Sequence, residues 1–296
     1  MPIPDWNSLR RGSALTAIAL SALLLGGTAA RASVVTYNGF ASTAGLTLVG
    51  KTTATTTSDG TVLRLTPATG GQSGAAYSTS AVALGANATF STTFDFRFTS
   101  ASSPPADGIT FVLAASPTGL GGAGGGLGYQ GVANSVAVEF DTYNNGAGDA
   151  NSSNHVAIDT NGVLTDTAAA FPYGLQNCTG SGAGCMSNGN LWKVTIGYDG
   201  TNLSVSLQDG SQAVDNLISN YAINIASYLG TNNAYVGFTG STGGSYENQD
   251  ITTWSFANTT QLAAAPLLPE PSGLAVFATG VMALGLAGAA RRRHPG

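Results

Sequence analysis

Apolar and polar residues alternate through most of the middle of this chain, with the two-residue period of a half-buried strand. In "ATFSTTFDFRF" the rings of Phe90, Phe94, Phe96 and Phe98 fall on one side. "LWKVTIGY" repeats the pattern with Trp192, Val194 and Ile196, and "LSVSL", "YVGF" and "TTWSF" continue it. Gly, Asn and Asp break these runs, and helical periodicity is hard to find. The pattern predicts an all-β sandwich of antiparallel strands. Asp-Gly pairs in "DGTVLRL" and "YDGTNLSVSL" predict turns, the second inside a hairpin. "SSPPADG" and "GLGGAGGGLGYQG" read as loops. The second carries no Lys-Ser/Thr or dinucleotide pattern, so it is a weak phosphate cradle. Asp159, Asp166, Asp199 and Asp209 stand in turn contexts and read as turn residues, while Trp192 and Trp254 read as core.

Two apolar segments flank this body. Arg10 and Arg11 precede the run from Ala14 to Gly26, and the small residues of "ARAS" follow, which predicts a secretory signal helix over residues 1–32. Ser272 to Ala290 carries no charge and is followed by Arg291, Arg292 and Arg293. As a helix that run spans a hydrocarbon core of ~30 Å, with the arginines on the cytoplasmic side. "LPEP" at Leu268 to Pro271 lies just before it. Box, span and arginine cluster together resemble the PEP-CTERM sorting signal of Gram-negative bacteria. The resemblance implies an exosortase-type processing protease as partner and membrane attachment through the C-terminal helix before processing. It implies export to the bacterial cell envelope, outer surface or extracellular matrix after transient anchoring in the inner membrane. The expected organisation is a signal peptide (1–32), a sandwich domain (33–262), a linker with the LPEP box (263–271), and a transmembrane helix with an Arg-rich tail (272–296).

Charge narrows the partners. Only 8% of residues are charged, and the body's basic residues are Lys51, Arg64, Arg97 and Lys193. Against them stand 13 acidic residues, a net charge of −9. Nucleic acid and anionic membrane surfaces need a cationic patch, which this body does not offer. Cations and neutral polar ligands fit better. Cys178 and Cys185 are the only cysteines. In an exported protein two cysteines so close usually pair, so they predict a loop staple. A metal site is the lesser reading, with two thiols and no histidine near.

One stretch gathers what the rest avoids. "VAVEFDTYNNGAGDANSSNHVAID", Val136 to Asp159, holds carboxylates, amides, an aromatic and a histidine. Val136 to Phe140 reads as a strand, so Glu139 and Asp141 share one face while Val138 and Phe140 take the other. Two adjacent carboxylates repel unless a cation or proton lies between them. A loop folding back would bring Asp149 and His155 to the same place. Oxygen ligands alone suit calcium, whereas an imidazole among oxygens suits a transition ion such as manganese. The residues suggest two neighbouring ions, one of each kind. A solvated polar loop with a surface histidine is the ordinary alternative.

The spacing Glu139-x-Asp141-x-Tyr143-x-Asn145-x3-Asp149-x5-His155 resembles the metal-binding signature of the legume-lectin family. Other pieces agree in order over Tyr37 to Asn258. "YNGFASTAGLTLVG" resembles the family's first strand, and "FSTTFDFRF" with "PPADGITFVLAAS" its middle strands. "GGGLGY" resembles its glycine loop, and "YVGFTGSTGGSYENQDITTWSF" its closing hairpin. The resemblance implies a concanavalin A-like jelly-roll sandwich. It implies manganese on Glu139, Asp141, Asp149 and His155, and calcium on Asp141, Asn145, Asp149 and the Tyr143 carbonyl. Asp107, after a cis Ala106–Asp107 peptide, would accept hydrogen bonds from sugar hydroxyls. A backbone N–H near Gly125 and the Asn145 amide would complete the polar contacts. The Tyr143 ring would stack on the sugar, and the loop 243–248, with Gly244 and Ser245, would set specificity. The implied function is a calcium- and manganese-dependent lectin for neutral glycans or exopolysaccharide, with homodimerisation through a sheet edge left open.

Two other classes compete. Related sandwiches include laminarinase-type glycoside hydrolases, which need two carboxylates flanking the scissile bond. Their Glu-x-Asp-x-Glu or Glu-x-Asp-x-x-Glu motif would require the last Glu at Tyr143 or Asn144, so no enzyme is expected. A matrix or surface-layer protein that kept the fold and lost sugar binding is the other alternative. Gly243, Gly244 and Ser245 are small where some lectins place a side chain on the sugar.

Overall fold

A computed structural model describes residues 34–84 and 89–258. The expected signal segment, linker and apolar tail lie outside the described residues. Among the described residues no helix is long and apolar enough to cross a membrane.

The alternating runs form two antiparallel sheets of eight strands each. The first runs β14 (Asp215–Ala222), β13 (Asn202–Asp209), β12 (Trp192–Tyr198), β7 (Phe90–Thr99), β16 (Asn248–Ala257), β4 (Gly60–Thr66), β3 (Thr53–Thr57), with β1 (Val34–Asn38) also on β16. The second runs β11 (Val163–Ala170), β10 (His155–Thr160), β9 (Ser135–Asp141), β8 (Gly108–Ala114), β15 (Asn233–Ser241), β5 (Ser73–Ser78), β2 (Leu46–Gly50), with β6 (Val82–Ala83) on β15. Both Asp-Gly turns lie where expected. Thr57 pairs with Gly60 across the β3–β4 turn, and Tyr198 with Leu203 across the β12–β13 hairpin.

Period-two alternation puts one face of each sheet into a common core. Phe94, Phe96, Phe98, Trp192, Val194, Ile196 and Trp254 come from the first sheet. Phe111, Val138, Phe140, Val156 and Phe238 meet them from the second. Phe94 meets Phe140 edge to face at 5.7 Å, a favoured arrangement of ring quadrupoles. The other face of the second sheet is also covered. Tyr77, Val112 and Ala137 pack there with Tyr129 and Val132 from the glycine-rich loop, and the Tyr77 hydroxyl donates to the Gly119 carbonyl at 2.7 Å. Glu139 and Asp141 lie on this same face and are each 1% exposed.

One expectation is corrected. The strands of "YVGFTGSTGGSYENQDITTWSF" are not a hairpin: β15 pairs with β8, β5 and β6, while β16 pairs with β7, β4 and β1. Both strands bury apolar residues in the shared core, and the loop between them crosses from one sheet to the other. A short helix, α1 (Ile225–Leu229), was not signalled by periodicity; the Asn224 side chain caps it by accepting from the Ser227 N–H.

Candidate functional site

The site grows from the β9–β10 ladder. Register sets His155 opposite Asp141 and Ala157 opposite Glu139. Because Val138 and Phe140 take the core face, Glu139 and Asp141 are turned outward, under the loops. Glu139, Asp141 and His155 offer ligand atoms that all lie within 4.8 Å of one another. His155 Nε2 stands 3.1 Å from Glu139 Oε1. The loop after β9 is wound around two carboxylates. The Tyr143 N–H donates to Asp141 Oδ1 at 2.7 Å, and the Asn145 N–H to Asp149 Oδ2 at 2.5 Å. Tyr143 is half-buried and Asn145 exposed, while Asp149 is buried and joins His155 and Asp166 in a second set within 4.8 Å.

Burial dominates the electrostatics. It pushes Glu139 and Asp141 well above the ordinary carboxylate range; Asp159 and Asp166 add repulsion at Glu139, while His155 opposes the rise at Asp141. Asp149 is raised for the same reason. Burial alone would lower His155, yet the Asp166 and Asp141 carboxylates outweigh it and hold the imidazole above its usual value. Asp141 Oδ2 is buried with no hydrogen-bond partner. Such a set needs protons or cations as counter-charge. Oxygens with a single imidazole are the donors of a hard or borderline divalent ion.

Beside this cluster lies a shallow rim. Asp107, 3% exposed, follows a cis Ala106–Asp107 peptide. Gly108 has φ +137°, and a Cβ there would stand 2.2 Å from the Phe140 carbonyl oxygen, so only glycine lets the chain pass so close to β9. The Asp107 carbonyl accepts the Thr142 N–H at 2.8 Å. Burial pushes the Asp107 carboxyl up to about 7, opposed by the Gly243 N–H and assisted by Asp149. Its Oδ2 has no hydrogen-bond partner. The glycine loop is stitched to the end of β15: the Gly124 N–H donates to the Thr242 carbonyl at 3.1 Å, and Ser241 Oγ to the Gly124 carbonyl at 2.6 Å. A Cβ on Gly125 would stand 2.5 Å from Asn145 Oδ1, and one on Gly243 3.3 Å from Asp107 Oδ2. Asp107, Gly125, Asn145 and Gly243 therefore converge. The Gly243 N–H donates to the Ser245 carbonyl at 3.1 Å. Beside Gly244 the space is open.

Cys178 and Cys185 are joined, with S–S 2.08 Å. Their loop is fastened to the strand that carries the imidazole. Asn154 Nδ2 donates to the Leu175 and Gly184 carbonyls at 2.9 and 3.0 Å, and its Oδ1 accepts the Met186 N–H at 3.0 Å.

Sequence reasoning missed several residues here. Asp159 is fully buried on β10, and with Glu139 and Asp166 it forms a third set within 4.8 Å. Burial pushes its carboxyl up to about 6. The signal for Asp159 was its spacing: two and four residues after His155 share the face of His155. Asp209 is also not a turn residue alone. Buried at 1% exposure, it accepts from the Gly184 N–H and from the amides of Asn188, Asn190 and Gln212. Asp199 is the turn residue expected, exposed and held down to about 2 by the Asn202 and Thr201 N–H groups. Asn154 and the buried Glu247 gave no pattern to read.

The legume lectin domain family matches residues 33–270. Agglutinin-2 of Cladrastis kentukea is 32% identical over 191 residues, which is 60% of this chain and 61% of the agglutinin. The L-type lectin-domain containing receptor kinase VIII.1 of Arabidopsis thaliana is 34% identical over 178 residues, 57% of this chain and 23% of the kinase. The chain thus spans less than two thirds of either relative. The solved lectin from Bauhinia forficata in complex with GalNAc superposes with a TM-score of 0.65 at 23% identity, covering 78% of this chain and 99% of that one. That likeness establishes the concanavalin A-like sandwich.

Proposed function

The chain belongs to the legume lectin domain family, and on that premise we propose that it is a calcium- and manganese-dependent carbohydrate-binding protein exported to the bacterial envelope or extracellular matrix. The observation that carries the reading is the convergence of Asp107, Gly125, Asn145 and Gly243 beside the carboxylate–imidazole cluster. Glu139, Asp141, Asp149 and His155 hold a manganese ion in this reading. Asp141, Asn145, Asp149 and the Tyr143 carbonyl hold calcium. The fit is supported by the buried, unpartnered Asp141 Oδ2 and by raised carboxyls that otherwise keep protons. The ions supply fixed positive charge that keeps these carboxylates ionised and their loop in place.

The chain's own groups do the recognition. Asp107 accepts from sugar hydroxyls, while the Gly125 N–H and the Asn145 amide donate. The Tyr143 ring covers the apolar face of the sugar. Because these groups are held before the sugar arrives, association loses little further freedom. The open rim at Gly244 and Ser245 admits extended chains, which favours exopolysaccharides or surface glycans. Export, the exosortase-type protease and transient inner-membrane anchoring rest on residues 1–32 and 268–293.

The test is a glycan array probed with the purified chain, first with calcium and manganese, then with EDTA. Binding abolished by EDTA and restored by the two ions is expected. A folded, metal-loaded chain that binds none of the glycans would overturn the reading in favour of a structural matrix role.

A further inference from the structure

Four carboxylates offer ligand atoms within 4.8 Å of the His155 imidazole, those of Glu139, Asp141, Asp149 and Asp166, and Asp159 joins Glu139 and Asp166 in a further set. The four-residue manganese set proposed above uses three of them. Asp166 remains, and its position is unusual. Its side chain is 6% exposed, and neither of its oxygens has a hydrogen-bond partner. The ion pairs that arginine makes among the described residues are Arg64–Asp250 and Arg97–Asp59, both elsewhere. What Asp166 does face is the ligand cluster. Its Oδ1 lies 3.7 Å from His155 Nε2, the same nitrogen that stands 3.1 Å from Glu139 Oε1.

Asp166 also belongs to two of the three ligand sets, one with Asp149 and His155, the other with Glu139 and Asp159. Donors bound at ~2.1 Å to one small divalent ion lie no more than about 4.2 Å apart. The 3.1 and 3.7 Å separations fall inside that limit. The backbone is shaped to deliver the group. Between the pairs Ile158–Thr167 and Thr160–Val163 the β10–β11 register shifts, so β11 bulges. Asp166 sits in the bulge with φ +48°. Asp159 Oδ1 accepts the Thr165 N–H at 2.7 Å and so fixes the residue just before it.

We propose that Asp166 is a fifth protein ligand of the transition ion held by Glu139, Asp141, Asp149 and His155, with Asp159 as its positioning residue. The inference rests on the metal-dependent reading and deepens it. An additional carboxylate raises the negative charge of the site and makes it more oxygen-rich. That favours harder divalent ions such as manganese over softer ones. It also ties the β10–β11 hairpin to the ion.

The test is manganese titration of the metal-free full chain, solubilised in mild detergent and followed by the electron paramagnetic resonance signal of free Mn2+. Wild type, Asp166→Asn and Asp166→Ser are compared, with thermal melts of each form with and without the ion. Asn is chosen because it tolerates positive φ. Both variants are expected to bind manganese at least tenfold more weakly and to show a smaller manganese-induced rise in Tm. Their metal-free Tm is expected to be unchanged or higher, because a buried like charge is gone. A purely structural Asp166 gives the opposite pattern, a lower metal-free Tm with manganese affinity intact, and that result overturns the proposal. Wild-type affinity in both variants overturns it as well, while leaving the lectin reading standing. A wild-type chain that takes up no manganese overturns both.

Discussion

The side-chain amide of Asn145 occupies the place where a Cβ on Gly125 would stand, with Oδ1 only 2.5 Å from that point and Nδ2 3.0 Å. The two residues come from separate loops, and their contact closes the rim beside Asp107. Gly125→Ala must therefore push the Asn145 amide outward. The expected outcome is a loss of glycan affinity of tenfold or more, with manganese content unchanged and calcium, which Asn145 helps to hold, bound more weakly. Calorimetric titration with the best array glycan, alongside metal analysis, checks it. Unchanged sugar affinity would mean that Asn145 takes no part in recognition.

Stability of the metal-free chain should fall as pH rises. Burial holds Asp159 up to about 6, Asp107 to about 7 and Glu247 to about 8. In the unfolded chain these groups titrate near pH 4. From about pH 4 to pH 8 the folded state thus binds more protons than the unfolded one, and the unfolding free energy declines with pH. The metal-free Tm is expected to drop by roughly 5 °C or more between pH 5 and pH 8. With calcium and manganese in excess, the ions replace the protons on the ligand carboxylates, and the decline should become shallower, leaving the part set by groups outside the ligand set such as Glu247. Thermal melts at matched ionic strength decide the matter. A metal-free Tm that is flat or rises with pH contradicts it.

Much of this site was legible because strands keep strict alternation. Once Val138 and Phe140 are assigned to a core, Glu139 and Asp141 must face away together, and His155 follows from the antiparallel return of the chain. Asp159 was legible by the same rule, but its turn context suggested a turn residue. Asp166 was not legible. It sits in a bulge with left-handed backbone at Asp166 and Ala168, where a two-residue period no longer assigns faces. Nor could alternation say that β15 and β16 join different sheets, since both patterns describe strands with one buried face. Contacts such as Asn145 on Gly125 and Asn154 on the disulfide loop depend on how distant loops meet, which local pattern does not encode.

Asn154 is expected to contribute more to the stability of the disulfide region than the disulfide does. It is fully buried and satisfies three backbone groups, one in that loop at Gly184 and two flanking it at Leu175 and Met186. Asn154→Ala leaves all three without that partner, at an expected cost of about 3 kcal/mol. Replacing both cysteines with serine removes only the closure of a short loop, about 2 kcal/mol. Because Asn154 adjoins His155, the alanine variant should also bind manganese more weakly. Urea unfolding of both variants, with manganese titration, checks the order. A greater loss in the cysteine variant reverses the assignment.

Glu247 lies beneath the rim, fully buried, with its Oε1 accepting the Thr142 hydroxyl at 2.9 Å and its Oε2 buried without a partner. Burial raises it to about 8, and Asp107 adds repulsion. At pH 6 the side chain is therefore neutral, and an amide of the same shape is a close substitute. At pH 9 it is charged in a site that offers no cation, which weakens the fold. Glu247→Gln is expected to leave the metal-free Tm within about 2 °C at pH 6 and to raise it at pH 9. The glutamine variant should also flatten the upper part of the pH profile, between pH 7 and pH 9, and leave the lower part governed by Asp107 and Asp159. A uniform loss of stability at both pH values would instead mean that the carboxyl makes a contact that an amide cannot replace.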